Sequence, residues 1–279
     1  MKLIKNNVIF LIFSYVLFCL IVYFKPEKFF YYPSNYPSNV KKVQDDGFNA
    51  EEVTYHKYDD IDAKGWLYLD NSPLNNSKVV LFLHGNSYNV EKYYHKTVPF
   101  AKAGYSVFIP EYRGFGGQGN KIRQEYLAQD ALNALHYLNS LGFKNKDIIV
   151  YGMSLGTHMA LHTVVNGQEN DIFNALILEV PFTSLFDVVK IHTTYKGINI
   201  LPLDLLVKDK YNSTNLITKI KTRLLIMTTE SDELIPYTQA LNLYEQAPEP
   251  KQIKIYKGAA HDTLYNLANY EYIIKWLDK

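Results

Sequence analysis

The sequence predicts an α/β protein: a mostly parallel, eight-stranded sheet with helices on both faces, preceded by one apolar helix near the N-terminus. Three observations carry this expectation. Short β-rich runs alternate with helical patterns from Glu52 onward. Several of these runs are apolar throughout, such as VVLFL (79–83), IIVY (148–151) and LLIM (224–227), which suits strands covered on both faces. Val8–Phe24 holds no charged residue at all.

Taken in order, strands are expected over Val53–Tyr58, Lys64–Asp70, Lys78–Leu83, Ser106–Pro110, Ile148–Tyr151, Ala175–Val180, Arg223–Thr228 and Gln252–Tyr256. The first two lie close together with no helical segment between them, so an antiparallel pair is expected there. Helices are expected over Tyr93–Ala103, Gln124–Leu141, Leu155–Asn166, Tyr237–Gln246 and Thr263–Asp278. Residues 182–221 break the rhythm; they mix apolar and polar residues around Gly197 and Pro202 and read as a small cap insertion. The YYPSNYPSN stretch (31–39) reads as a short spacer or an edge packed on the domain.

Bulk properties narrow the function classes. A chain of 279 residues fits one large α/β domain better than two average ones. With 47% hydrophobic and 20% charged residues it has the material for a sizeable core. The net charge is +1 and no long run of one sign occurs, which argues against a nucleic-acid partner. Cys19 is the single cysteine, so no intramolecular disulfide and no cysteine-based metal site is expected.

The apolar segment 8–24 is at the short end of the roughly 17 to 25 residues that cross a hydrocarbon core. Lys2 and Lys5 precede it and Lys25 and Lys28 follow, placed to reach the two headgroup layers. Large residues fill the positions where a signal peptide would need small ones before its cut site, and Phe18 before Cys19 argues against a lipoprotein. The expectation is an uncleaved, single-pass membrane anchor over 1–28, then the α/β domain over 29–279. The balanced lysines barely constrain orientation, with a lean towards a domain on the exported side.

The sharpest motif is Gly152-Met153-Ser154-Leu155-Gly156, set between an apolar strand and a helical pattern. In that setting G-x-S-x-G is a tight strand-to-helix turn that lifts the serine hydroxyl out of the sheet and aims a helix N-terminus at the reacting oxygen. Flanking glycines are needed because a Cβ would collide in so sharp a bend. A serine hydroxyl needs a base. Of eight histidines, His261 has the right place, after the last strand and before the terminal helix. The acid that orients the imidazole is expected after a strand between Ser154 and His261; Asp232 fits, with Glu230, Glu233 and Asp204 as fallbacks. The backbone N–H of Leu155 is one expected oxyanion donor, and that of Asn86 in the His84-Gly85-Asn86 loop is the other. His84 itself reads as structural. His158 and His162 share a helix face at i, i+4, but no third metal ligand accompanies them. Phe186, Leu203 and Leu206 in the cap could line an apolar channel, but ordinary packing is the expected role of each one individually.

Together, HGN (84–86), EYRGFG (111–116), GMSLG (152–156), PFTSL (181–185), SDELIP (231–236) and GAAHD (258–262) resemble the membrane-anchored α/β-hydrolases. That group includes α/β-hydrolase domain-containing proteins thirteen and seventeen and is similar to serine-aminopeptidase-type hydrolases. FFYYPS (29–34) is similar to its entry segment, so the resemblance spans nearly the whole chain. It implies Ser154, Asp232 and His261 as a catalytic triad, Asn86 and Leu155 as the oxyanion hole, and no metal or organic cofactor. It also implies acyl-transfer hydrolysis of an ester or thioester, on a lipidic or lipid-modified substrate since some members deacylate protein cysteines. Alternatives are a serine aminopeptidase, or an inactive membrane-tethered binding protein on the same fold. The chain departs from the group's pattern at Glu111, Gln118, Asn120, Thr228-Thr229 and Ala259-Ala260.

Overall fold

The structure, a computed structural model, describes residues 2–56, 62–69, 78–118, 121–168, 171–198, 200–264 and 267–279. Lys57, Tyr58 and Asp70 at the ends of expected strands, Asn120, and residues 265–266 of the expected last helix lie outside the described residues.

The chain opens with α1 (Lys2–Phe24), a 23-residue helix whose stretch Asn6–Phe24 is long and apolar enough to cross a membrane. Its side chains are nearly all exposed from Asn6 on. A single turn, α2 (Glu27–Phe30), and a two-residue strand, β1 (Tyr32–Pro33), follow. Next come α3 (Lys41–Asp45), β2 (Ala50–His56), β3 (Asp62–Tyr68), β4 (Val79–Leu83), the short β5 (Ser87–Tyr88), α4 (Val90–Lys102) and β6 (Ser106–Pro110). The second half runs α5 (Gln124–Ser140), β7 (Ile148–Met153), α6 (Leu155–Gly167), β8 (Ala175–Glu179), α7 (Leu185–Tyr195), α8 (Leu203–Leu206), α9 (Thr214–Ile217), β9 (Leu224–Thr229), α10 (Thr238–Gln246), β10 (Lys251–Tyr256) and α11 (Leu267–Leu277).

Eight strands form the main sheet in the order β10-β9-β8-β7-β4-β6-β3-β2. The pairs from β10 through β6 are parallel, while β2 pairs with β3 and β3 with β6 antiparallel, as the missing helix between the first two strands predicted. Every residue of β4, β6, β7, β8 and β9 is buried, because helices cover both sheet faces. Side chains alternate between two cores along each strand. Leu81 and Val150 face one, with Leu135 and Met159; Val80 and Ile149 face the other, with Phe100 and Ile273.

From β4 the chain crosses to β6 on one side, then returns to β7 on the other. The sheet therefore has a switch point at the C-terminal ends of β4 and β7, where open α/β sheets leave a crevice for ligands. The cap insertion carries α7, α8 and α9 between β8 and β9. Residues 31–34 do more than space α1 from the domain. β1 pairs in parallel with β5, immediately after the Gly85-Asn86 loop.

Candidate active site

Ser154 lies in the turn between β7 and α6 with φ 52° and ψ −119°, a conformation that a non-glycine residue adopts only when its surroundings hold it there. Two backbone bonds do so. The Ser154 N–H donates to the Glu179 carbonyl at the end of β8 (2.9 Å), and the Ser154 carbonyl accepts from the Thr157 N–H (2.9 Å). The flanking glycines allow close packing. A Cβ at Gly156 would stand 1.9 Å from the Leu83 carbonyl oxygen of β4, and one at Gly152 would stand 2.4 Å from the Gly156 carbonyl oxygen. The requirement is thus contact between helix and sheet rather than backbone freedom, since neither glycine has positive φ.

The structure brings the three expected polar side chains into one line. Ser154 Oγ is 3.0 Å from His261 Nε2, and His261 Nδ1 is 2.8 Å from Asp232 Oδ2. The Asp232 side chain is fully buried, and the His261 side chain is 9% exposed. Asp232 Oδ1 also accepts the N–H groups of Leu234 (2.8 Å) and Ile235 (2.7 Å), so the turn after β9 fixes the carboxylate before it meets the imidazole. The fallback acids lie elsewhere. Glu233 accepts the His261 backbone N–H (3.2 Å), and Asp204 is exposed beside Lys210.

Two departures from the expected family pattern meet each other. Thr229 Oγ1 donates to the Ala259 carbonyl (2.8 Å), tying the end of β9 to the loop that carries His261. A third, Glu111, sits under the Gly85 loop; it accepts the Val90 N–H (3.2 Å), and its Oε1 lies 3.5 Å from His84 Nε2. His84 is fully buried, stacked on Tyr93 and against Tyr112, as a structural histidine would be.

Asn86 and Leu155 both border the space beside Ser154, and a Cβ at Gly85 would lie 3.6 Å from that of Ser154. Among the described residues neither the Asn86 nor the Leu155 backbone N–H meets an acceptor. Asn86 is held from outside: its carbonyl accepts the Tyr32 N–H (2.9 Å) and its side-chain amide donates to the Phe30 carbonyl (3.0 Å). The segment just after α1 therefore clamps the loop that faces the serine. The partial positive charge at the N-terminus of the 13-residue α6 lies at the same point.

The serine opens into a cavity of about 660 Å³. Phe29 and Phe30 of α2, Phe182, Leu185, Val188 and Val189 of the cap, and Leu234 and Ile235 make its walls apolar. His95, Lys92, Lys196 and His192 bring polar ends to it. Burial, and then the charge of Lys96, holds the His95 imidazole below its ordinary range. Phe186, Leu203 and Leu206 do not border this space, in keeping with the packing reading; from the cap, Leu185, Val188 and Val189 of α7 line it.

One element was not anticipated. Lys96 is buried on α4, and its Nζ donates to Glu179 Oε1 (3.0 Å) and to the Asp262 carbonyl (3.3 Å). Tyr151 donates to the other Glu179 oxygen (2.6 Å). The signal was present in the sequence: Lys96 interrupts the apolar stripe Tyr93–Thr97–Phe100, and Glu179 ends an otherwise apolar strand. His158 has no part in the site. It lies between Ser213 and Gln124, edge-on to Tyr211, and burial pushes its pKa down to about 3.

The fold and the line from Ser154 to Asp232 define a serine-hydrolase-type protein of the α/β-hydrolase superfamily. Within it, the chain belongs to the prolyl oligopeptidase family, whose model matches residues 91–279. Similar curated proteins include protein bem46 of Schizosaccharomyces pombe, 29% identical over 232 residues that cover 79% of this chain and 75% of bem46. Lysophosphatidylserine lipase ABHD12 of Macaca fascicularis is 25% identical over 251 residues, covering 78% of this chain and 62% of the lipase. Among solved structures, an esterase of Pyrococcus furiosus superposes with a TM-score of 0.69 at 18% identity, covering 89% of this chain and 97% of the esterase. The Pyrococcus horikoshii acylaminoacyl peptidase superposes with a TM-score of 0.65 at 18% identity, covering 86% of this chain and 44% of the peptidase. At that identity the two structures speak to the fold.

Proposed function

We propose that this chain is a membrane-anchored serine hydrolase that cleaves an ester or thioester by an acyl-enzyme route, with Ser154 as nucleophile, His261 as base and Asp232 as its orienting acid. The observation that carries the reading is the 3.0 Å approach of Ser154 Oγ to His261 Nε2, with Asp232 on the far nitrogen. His261 takes the hydroxyl proton as Oγ adds to the acyl carbonyl carbon. The N–H groups of Asn86 and Leu155 stabilise the oxyanion. The carbonyl re-forms, the leaving group departs with the proton from His261, and Ser154 holds the acyl chain. Water, deprotonated by His261, then adds to the acyl-enzyme, and collapse of the second adduct returns the proton to Ser154 Oγ and frees the acid.

Residues 8–24 form the anchor in this reading, 1–28 the anchoring unit and 29–279 the catalytic domain, with 182–221 as its cap. The apolar cavity walls and the similarity to a lysophosphatidylserine lipase support an acyl substrate of lipid type. The same motifs support kinship with the membrane-anchored group that includes α/β-hydrolase domain-containing proteins thirteen and seventeen. An N-terminal anchor can carry a long domain across the bilayer, and on that ground the reading puts the catalytic domain on the exported side.

A second reading is a peptidase. The prolyl oligopeptidase family match favours it, and Glu233 borders the cavity as a carboxylate able to meet a peptide amine. A matched panel separates the two: p-nitrophenyl and thioester substrates of graded acyl length against aminoacyl arylamides, with Ser154→Ala as the blank. Faster turnover of medium or long acyl esters supports the first reading. Arylamide turnover that outpaces every ester supports the second.

A further inference from the structure

We propose that the tip of the cap, residues 195–198 and 200–205, is a membrane-penetrating surface that enters the same bilayer as α1 and brings the cavity beside Ser154 close to the lipid. The inference rests on the anchor reading of α1 and extends it to a part of the catalytic domain. Four observations carry it.

The first is depth. Tyr15 of α1 donates its hydroxyl to the Ile200 carbonyl at 2.6 Å, and α1 packs along α8. Tyr15 lies nine residues before the domain end of the helix, or about 13 Å along its axis. If α1 were in lipid and the cap tip in water, only the part of α1 before Tyr15 would be left for the bilayer. That part is too short for a hydrocarbon core of about 30 Å. The cap face that touches α1 must therefore share its surroundings.

The second is composition. Tyr195 is 91% exposed and Ile200 is 74% exposed, and Ile191, Ile198 and Leu205 are exposed with them. In water these are exposed apolar side chains without cover, and Ile200 and α8 lie against α1. The third is a boundary marker. Lys208 Nζ sits 3.4 Å from the centre of the Tyr23 ring, one residue before the end of α1. A lysine over a tyrosine at a helix end marks the headgroup level. Residues 200 to 208 then run from lipid depth up to the interface, and Asp204 pairs with Lys210 on that side.

The fourth is backbone satisfaction. Water solvates an exposed turn, but lipid does not. The N–H groups of Lys196, Gly197, Ile198, Leu203, Leu205, Leu206 and Val207 donate to carbonyls between His192 and Leu203, and Tyr15 covers the Ile200 carbonyl, which leaves the N–H groups of Ile200 and Leu201 without an acceptor among the described residues. Phe29 and Phe30 of α2 and Val189 and Lys196 at the end of α7, next to this surface in the chain, line the cavity that holds Ser154. A single acyl chain leaving the bilayer would meet Ser154 without crossing water.

The test uses the full chain in phosphatidylcholine vesicles containing doxyl-labelled phosphatidylcholine. In a Cys19→Ser background, Ile200→Cys and Leu205→Cys each carry an environment-sensitive fluorophore. Ile172→Cys, beyond the opposite end of the sheet, serves as the aqueous control, and Phe13→Cys reports on α1 itself. The expected result is that the labels at 13, 200 and 205 are each strongly quenched by the lipid quencher and protected from aqueous iodide. The label at 172 responds to iodide alone. If 13 is quenched by lipid while 200 and 205 behave like 172, the cap inference is overturned and the anchor stands. If 13 is also unquenched by lipid, the anchor reading itself fails and takes the cap inference with it.

Discussion

Lys96 Nζ lies 3.0 Å from Glu179 Oε1, and both side chains are sealed from solvent behind the loop that carries His261. The pair joins two sides of the site. Lys96 also reaches the Asp262 carbonyl, while the Glu179 backbone carbonyl holds the N–H of Ser154. Removing one partner leaves the other charge buried and unpaired, which costs about 3–5 kcal/mol.

Lys96→Met is therefore expected to lower the unfolding free energy by an amount of that order, measured by urea denaturation. Lys96→Met with Glu179→Gln is expected to lose less than the two single losses combined, because no lone charge remains. An additive double variant would mean that the two side chains are not coupled.

Asn86 depends on the segment after α1. Its amide donates to the Phe30 carbonyl, and its own carbonyl accepts the Tyr32 N–H. Asn86→Ala keeps the backbone N–H assigned to the oxyanion but frees the loop from Phe30. A fall in kcat of roughly 10- to 100-fold, with a much smaller change in KM, is expected for a short soluble ester. Equal kcat in the variant would remove the segment from any positioning role.

His158 sets a pH dependence on stability. Burial, with the neighbouring His162 as the smaller cause, brings its folded-state pKa down to about 3. The unfolded chain binds a proton near pH 6.5, whereas the folded chain stays neutral. The unfolded state thus carries more protons in between, and stability falls as pH drops from about 6.5 towards 3. The slope from this one group approaches about 1.4 kcal/mol per pH unit. Urea midpoints measured from pH 7 to pH 4 are expected to fall, and His158→Gln is expected to flatten the fall. His162 and His95, also pushed down chiefly by burial, act in the same direction.

Much of this architecture is legible in the amino-acid sequence. Apolar runs mark the buried parallel strands because covering both faces leaves no polar positions, and the helix-free link between the first two strands marks their antiparallel pairing. Ser154, His261 and Asp232 are legible because each falls at the C-terminal end of a strand, where side chains from distant segments converge. What sequence does not convey is packing at long range. The clamp of Phe30 and Tyr32 on Asn86 joins residues more than fifty positions apart, and Phe30 and Tyr32 contribute only backbone groups, which leave no residue-type signature. Lys96 stands out on its apolar helix face, but its partner Glu179 lies 83 residues away. Which cap residues wall the cavity is not legible either, because the pitch of α7 decides whether Phe186 or Leu185 points inward, and an irregular insertion has no sheet register to fix that pitch.

The most direct test of an activated Ser154 is covalent labelling of the full chain in membranes with a small fluorophosphonate, read by peptide mass. The account predicts one adduct, on the peptide containing Ser154, absent in Ser154→Ala and strongly slowed in His261→Ala while both variants unfold like the wild type. A folded wild type that takes no label, or one labelled equally after His261→Ala, would contradict it.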